Sequence, residues 1–500
     1  MREMNRAGNR GEANMSPKLA LLRSLRLFRS AAVLVCLAAG VSSGLATGDD
    51  GQFEFGRQLF EHKWVPNDPL TPGGDGLGPL HNADSCVACH HLGATGGAGA
   101  GKHNVELMTL VSGVSARKRN VLQEKAGKMH PAFAADNGAA ATVMLHKFGT
   151  DPGYERWRLS VLGIKLPAHT SAEKAAQVRR AAADRDSSAP PVATVPRTVG
   201  LPLLISRRNT TALFGAGLID SIPEKVLLDL EKTQDDRSDD LRGRLSRTAS
   251  GSVGRFGWRG QVGSLREFVV AACAMELGLQ NEKNPQALDP LDPKHRLKGN
   301  DLTQAQCDAL AAYCASLPAP VRIEPASARD AEHASRGEKL FASSGCAACH
   351  VPNVGKVEGI YSDLLLHDMG EGLSDPIPAN PEKGTAMTVT EVIGGGSSAY
   401  GGGGSLVESL SPAALALRRE WRTPPLWGLR DSAPYLHDGR ARTLSEAITA
   451  HGGEAESSTQ KFRGLDFVAR SDLLDFLNTL AAPIANPRAV AVRADSVGKP

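Results

Sequence analysis

Cys86-Val87-Ala88-Cys89-His90 recurs as Cys346-Ala347-Ala348-Cys349-His350, 260 residues further along a 500-residue chain. Two thiols a helical turn apart reach the two vinyl groups of one haem, and the adjacent imidazole meets the iron from the proximal side. A Cys-x-x-Cys pair also holds zinc or works as a thiol-redox couple, with a histidine following by chance. Only eight cysteines are spread over the chain, so two such coincidences are far less expected than two haem motifs. The chain therefore reads as carrying two covalently attached haem c groups. Cys86, Cys89, Cys346 and Cys349 are the thioether anchors, and His90 and His350 the proximal iron ligands.

The same stretches repeat in their surroundings. Gly56-Arg57-Gln58-Leu59-Phe60 precedes the first motif and Gly337-Glu338-Lys339-Leu340-Phe341 the second. Leu310, Tyr313, Cys314 and Leu317 end in Leu-Pro-Ala-Pro; Leu473, Phe476, Leu477 and Leu480 end in Leu-Ala-Ala-Pro. Both sets keep the spacing of an amphipathic helix. An opening helix, a haem-binding loop and a closing helix make a small helical cytochrome c domain. The expected fold is mainly α, two cytochrome c-like haem domains from an internal duplication, with long irregular loops. The expected bounds are 47–320, with insertions, and 326–483, joined by a linker over 321–332. Ser171–Val195, rich in Ala, Arg and Pro, reads as a loop or surface helix. The glycine-rich residues 394–404 read as a flexible loop, and 484–500 as a disordered tail.

Glycine (53) and proline (30) are plentiful and aromatics make up 5%, which suits helices joined by irregular chain around cofactors. Residues 1–46 hold seven basic and two acidic side chains; without them 50 basic residues face 52 acidic ones. That balance leaves no basic stripe for nucleic acid. Lys18, Arg23, Arg26 and Arg29 precede an apolar run from Ala31 to Val41, with Gly44-Leu45-Ala46 as a cleavage site. Residues 1–46 thus read as an export signal, too short in its apolar run to span a bilayer, so the mature chain is expected in the periplasm without a transmembrane anchor. Val35 before Cys36 argues against a lipoprotein box. Cys273, Cys307 and Cys314 remain; Cys307 and Cys314 share a helix face, and either one paired with Cys273, or all three free, is open.

A third repeat distinguishes the two halves. Trp258-Arg259-Gly260-Gln261-Val262-Gly263-Ser264-Leu265-Arg266-Glu267 aligns with His437-Asp438-Gly439-Arg440-Ala441-Arg442-Thr443-Leu444-Ser445-Glu446. The helix that follows reaches His451 in the second copy and Ala272 in the first. A histidine there can be the sixth iron ligand and an alanine cannot, so the second haem is expected to be closed by His451, with Met369 as the competitor. His91, His103, His130 and His146 follow the first motif and are the candidates for closing the first haem. Glu276, one turn beyond Ala272, is placed to shift a proton between the two oxygens of a peroxide. Trp258, standing where the duplicate has His437, is placed to pass electrons one at a time between the haems.

The segments Gly76–Leu80, Gly254–Trp258, Tyr361–Gly370, Arg422–Arg430 and Pro434–Arg440 resemble the dihaem c-type oxidoreductases often labelled thiol oxidoreductases. More distantly they resemble the bacterial dihaem cytochrome c peroxidases. The resemblance covers roughly residues 53–483 and implies a periplasmic electron-transfer or peroxidase-like enzyme with an all-helical dihaem fold. In the peroxidases a tryptophan in a Trp-Asp-Gly-Arg setting lies between the haems, and a glutamate in a Glu-Met-Gly setting is the distal acid–base. Trp258 and Glu276 match these places as Trp-Arg-Gly-Gln and Glu-Leu-Gly. His451 departs from the family: the peroxidases carry methionine on the second haem, and a related enzyme that matures a tryptophan-derived quinone carries tyrosine.

The preferred expectation is a haem-dependent oxidoreductase in which the C-terminal haem relays electrons to a ligand-accessible N-terminal haem. Its partners are a small redox protein, such as a c-type cytochrome, and peroxide or another small substrate. The alternatives are a non-catalytic dihaem electron-transfer cytochrome and a haem-dependent oxygenase. A bound Ca2+ is a further cofactor that the sequence leaves open.

Overall fold

The computed structural model describes residues 48–483 apart from 111–115, 135–141, 165, 168–169, 172, 175–176, 179–191, 195–200, 202, 236–240, 321 and 376–416. The expected export signal, the glycine-rich loop, the C-terminal tail and most of Ser171–Val195 lie outside the described residues. No helix among the described residues is long and apolar enough to cross a membrane.

Two helix pairs carry the motifs, and each crosses at a glycine. The opening helix Gly48–Glu61 packs on the closing helix Gln304–Ser316, where a β-carbon on Gly56 would run into the carbonyl of Ala309. Ala328–Ser343 packs on Phe467–Asn478, where a β-carbon on Gly337 would run into the carbonyl of Asp472. Ala309 and Asp472 each lie four residues before the aromatic that covers the crossing, Tyr313 or Phe476. Phe60 meets Tyr313 at 5.2 Å between ring centroids, and Phe341 meets Phe476 at 5.4 Å. The helices start where side chains satisfy their first amides. Thr303 and Gln306 form a capping box, Ser327 accepts from Asp330 N, and Asp466 accepts from Ala469 N. The second opening helix begins at Ala328, so the end of the stretch read as linker is its first turn.

The ten-residue repeats also take one local shape. Phe256 bridges Val262 and Tyr435 bridges Ala441, each as an antiparallel pair. Gly260 and Gly439 turn between them at φ of 60° and 70°, a left-handed backbone that favours glycine. Ser264 and Thr443 then cap the helices Leu265–Leu277 and Leu444–Ala450. Between the helix Leu265–Leu277 and the closing helix Gln304–Ser316 lies the largest buried cluster, which includes Phe60, Trp64, Leu265, Val270, Leu310 and Trp427; Leu444, Ile448, Leu473 and Phe476 belong to a separate one.

The molecule is helix-rich, as expected, but it also contains small sheets that the helical reading did not include. Leu80–His81 (β1) pairs with Phe148–Gly149 (β4). Val105–Leu110 (β2), Thr142–Met144 (β3), Val192–Thr194 (β5) and Leu203–Arg208 (β6) make a four-stranded antiparallel sheet in the order β3-β2-β6-β5. Leu366–Asp368 (β7) pairs with Glu420–Arg422 (β8). The end of the segment read as loop or surface helix is therefore an edge strand: Val192 to Thr194 add to the free side of β6, in register from Ser206 to Leu204. The four-stranded sheet has a core of its own, with Met108, Phe133, Val143, Leu203 and Ile205.

Candidate functional site

The second motif opens onto a cavity of about 910 Å³, lined by Cys346, Cys349 and His350 on one side and by His451 and Met369 among others. His350 Nδ1 donates to the carbonyl of Tyr361 at 2.9 Å. His451 Nδ1 donates to the carbonyl of Ala447 at 2.7 Å, closing the end of the helix Leu444–Ala450. A carbonyl can only accept, so both rings carry their proton on Nδ1 and keep Nε2 as a lone-pair donor. Burial pushes His350 down to about 4, and it pushes His451 down too. His451 is near enough to disfavour charge on His350. Neutral imidazole is the form that binds iron. Two thiols, two neutral imidazoles with free Nε2 atoms and an apolar chamber of ligand size fit a haem c group.

The first motif repeats that arrangement on the proximal side. Ser85 caps the turn Cys86–Cys89, and His90 Nδ1 donates to the carbonyl of Gly97 at 3.1 Å. Phe60 lies 6.4 Å from the His90 ring, as Phe341 lies 6.3 Å from His350. Burial pushes His90 down to about 4 and the Cys86 thiol up to about 12, so both are neutral. Cys86 and Cys89 pack on the same buried cluster as Phe268 and Met275 of the helix Leu265–Leu277. That donor set fits the same group.

Ala272 and Glu276 lie on that helix, both partly buried. Glu276 is held by Asn82, a residue that sequence reading passed over. The Asn82 side-chain amide donates to Glu276 Oε2 at 2.7 Å, and its backbone N–H donates to the Glu276 carbonyl, also at 2.7 Å. Its Oδ1 in turn accepts from Lys147 N at 3.0 Å. One side chain thus ties the helix end to the segment between β3 and β4. Its partner is 194 residues away in sequence, so no local pattern marks it.

The four candidate histidines separate. His103 Nδ1 lies 3.5 Å from Cys89 Sγ, and His91 stands edge to face against His103 at 5.7 Å. His146 Nε2 donates to the carbonyl of Met275 at 2.9 Å. His130 lies against Phe133 and Trp157 beside the sheet core. Cys273, Cys307 and Cys314 are buried free thiols.

Trp258 lines the large cavity and donates its Nε1 proton to the carbonyl of Asn209 at 2.9 Å. It meets His437 edge to face, with ring centroids 6.4 Å apart. His437 is stacked flat on Trp421 at 3.6 Å and 10°. Burial pushes His437 down to about 3, so this ring is neutral. His367 is a second buried histidine that the motifs did not single out. Its Nε2 lies 2.9 Å from Asp363 and its Nδ1 2.7 Å from Glu454, beside Cys349 Sγ at 3.7 Å. Burial disfavours its charge, but hydrogen bonding to Asp363, Cys349 and Glu454 raises its pKa well above the usual imidazole range. Among the described residues, both groups of side chains close enough to share an ion include a histidine, whereas Ca2+ takes oxygen ligands.

Residues 195–396 and 404–480 match the family described as "Di-haem oxidoreductase, putative peroxidase", more than half of the chain. The match takes in the second motif, Trp258, Glu276 and His451; the first motif lies before it. Hydrazine synthase subunit gamma of Kuenenia stuttgartiensis is 28% identical over 199 residues, 38% of this chain and 53% of that protein. Methylamine utilization protein MauG of Methylorubrum extorquens is 31% identical over 156 residues, 30% of this chain and 35% of that protein. Cytochrome-c peroxidase IdrP1 of Denitromonas iodatirespirans is 27% identical over 154 residues, 30% of this chain and 40% of that protein. The chain thus spans about half, or less, of the length of these relatives. The chain belongs to the di-haem oxidoreductase family.

Proposed function

We propose that the chain is a periplasmic dihaem c-type oxidoreductase that reduces peroxide with electrons from a small redox protein. Cys86, Cys89 and His90 hold one haem, and Cys346, Cys349, His350 and His451 hold the other. Each haem supplies a redox-active iron. The observation that carries the reading is the inequality of the two halves. His451 shares the cavity of His350, whereas the aligned position on the longer helix is Ala272. In this reading one half would offer a haem a second imidazole, His451, and the aligned position of the other half, Ala272, would offer none.

An internal duplication, with halves at 47–320 and 326–483, accounts for that comparison. It is supported by the matched glycine crossings, the matched bridges and the matched helix caps. Residues 1–46 then direct export, and 484–500 are a tail.

Reduction of one peroxide to two waters consumes two electrons and two protons. Trp258 passes the electrons from the C-terminal half to the N-terminal half one at a time. Glu276, oriented by Asn82, takes a proton from one peroxide oxygen and returns it to the other as the O–O bond breaks. Turnover with hydrogen peroxide and a reduced c-type cytochrome tests the proposal. Consumption of both is expected; no consumption, with no spectral change on adding peroxide, overturns it.

A further inference from the structure

Three rings run in sequence, Trp258 edge-on to His437 and His437 flat on Trp421. If Trp258 loses an electron, the stack offers the resulting hole a way out, because a second indole lies just beyond a single imidazole. Trp421, however, has cations over its ring. The Arg259 guanidinium lies 4.2 Å from its centroid and that of Arg208 lies 5.1 Å away. Both are fixed: Asp375 Oδ2 accepts from Arg208 at 2.6 Å and from Arg259 at 2.7 Å. Arg259 also donates to the carbonyls of Arg418 and Glu420, and the Trp421 Nε1 proton goes to the carbonyl of Leu373 at 2.8 Å.

The single Asp375 carboxylate is shared by both guanidiniums, and it is the guanidiniums that lie over the indole face. A cation over the ring stabilises the electron-rich neutral indole and destabilises its radical cation. Among the described residues no guanidinium lies over the Trp258 ring, and since each indole N–H donates to a carbonyl, the cations over Trp421 are what distinguish the two rings. The two tryptophans are therefore unequal as electron donors, although they are separated by one ring.

We propose that Arg208 and Arg259 close the far end of this aromatic run, so that a hole formed at Trp258 stays there instead of passing to Trp421. This rests on Trp258 as a redox residue and deepens that reading by naming what confines the charge. The step is a one-electron one: the Trp258 π system gives an electron to the N-terminal half, which is reduced, and regains one from the C-terminal half, which is oxidised. Trp421 takes no part while both guanidiniums are in place. With one of them neutralised, Trp421 becomes a competing donor and is open to irreversible oxygenation.

The test does not need peroxide turnover, so the peroxide reading can fail without taking this one with it. Haem-loaded protein is illuminated in air with a ruthenium(II) photosensitiser and persulfate. Each photo-generated ruthenium(III) takes one electron from the protein, persulfate is the terminal oxidant, and dioxygen adds to the indole radicals. Peptide mass mapping then reads the oxygenated tryptophans. In the wild type Trp258 is expected to be oxygenated and Trp421 spared. In Arg259→Gln oxygenation of Trp421 is expected to rise several-fold. In Arg259→Lys, which leaves a similar gap but keeps the charge, Trp421 is expected to stay spared. Equal labelling of Trp258 and Trp421 in the wild type overturns the proposal. So does labelling of Trp421 that is the same in the Gln and Lys variants.

Discussion

Trp258 and His437, the first residues of two aligned ten-residue stretches, stand edge to face with their rings at 76°. Asn209 binds both loops: its backbone N–H donates to the His437 carbonyl at 2.7 Å, and its own carbonyl takes the Trp258 N–H. The pair is thus held by main chain as well as by ring contact, and it lies on the wall of the cavity that the second motif opens. If electrons cross there, Trp258→Phe keeps the ring packing but raises the barrier to oxidation. Inter-haem electron transfer, followed by stopped-flow absorbance after pulse reduction, should slow by roughly tenfold or more, about 1.4 kcal/mol of added barrier. An unchanged rate would remove Trp258 from the route.

Glu276 and Asn82 should act as a unit. Glu276→Gln is expected to cost roughly 10²–10⁴-fold in peroxide turnover. Asn82→Ala should lose a large part of the same factor and shift the pH profile, because the carboxylate loses its 2.7 Å donor. The exchange also removes a buried partner, worth about 1–3 kcal/mol of stability. Thermal unfolding of the variant measures that part separately. Retention of the wild-type pH profile in Asn82→Ala would contradict the link.

Asp375 gives an acid-dependent contribution. Burial alone would raise its pKa, but the guanidiniums of Arg208 and Arg259 hold it well below the usual carboxylate value of 3.8. A carboxyl group lowered in the folded state binds more protons when unfolded. It therefore adds stability above its unfolded pKa and loses it as pH falls toward the folded one. Asp375→Asn should lower the melting temperature at neutral pH and narrow its difference from the wild type as pH drops below about 4. A constant difference across that range would contradict the assignment.

The glycine crossings are sensitive to one methyl group. Gly56→Ala and Gly337→Ala each place a β-carbon against a helix carbonyl. Each should destabilise by about 1–3 kcal/mol, read by denaturant unfolding. Gly464→Ala, at a helix position with open space around the β-carbon, is the control and should be close to neutral.

These cases also show what the chain reveals locally. The haem motifs, the two glycines, the closing-helix aromatics and the caps at Ser264 and Thr443 are short-range patterns, each readable within a few residues. The four-stranded sheet is not. β2 reads Val-Glu-Leu-Met-Thr-Leu and is buried on both faces, so it lacks the alternation that marks a half-exposed strand. Its partner β6 begins at Leu203, far along the chain. Glu106 sits inside that strand because Arg158 pairs with it across 52 residues. The site shows the same division. His90, His350 and His451 are legible from spacing and repeat. Asn82, His367 and Trp421 acquire their roles only from partners brought in by the tertiary fold.

Spectroscopy of the His451→Ala variant beside the wild type tests the central claim, that the two haem sites are unequal. The wild type should show one low-spin and one high-spin haem by EPR and optical absorbance, the high-spin one responding to cyanide. His451→Ala should convert the second haem to high spin, whereas Met369→Leu, altering the other candidate ligand on the same cavity, should not. A second haem that stays low-spin in His451→Ala, or two low-spin haems in the wild type that ignore cyanide after half-reduction, would contradict the account.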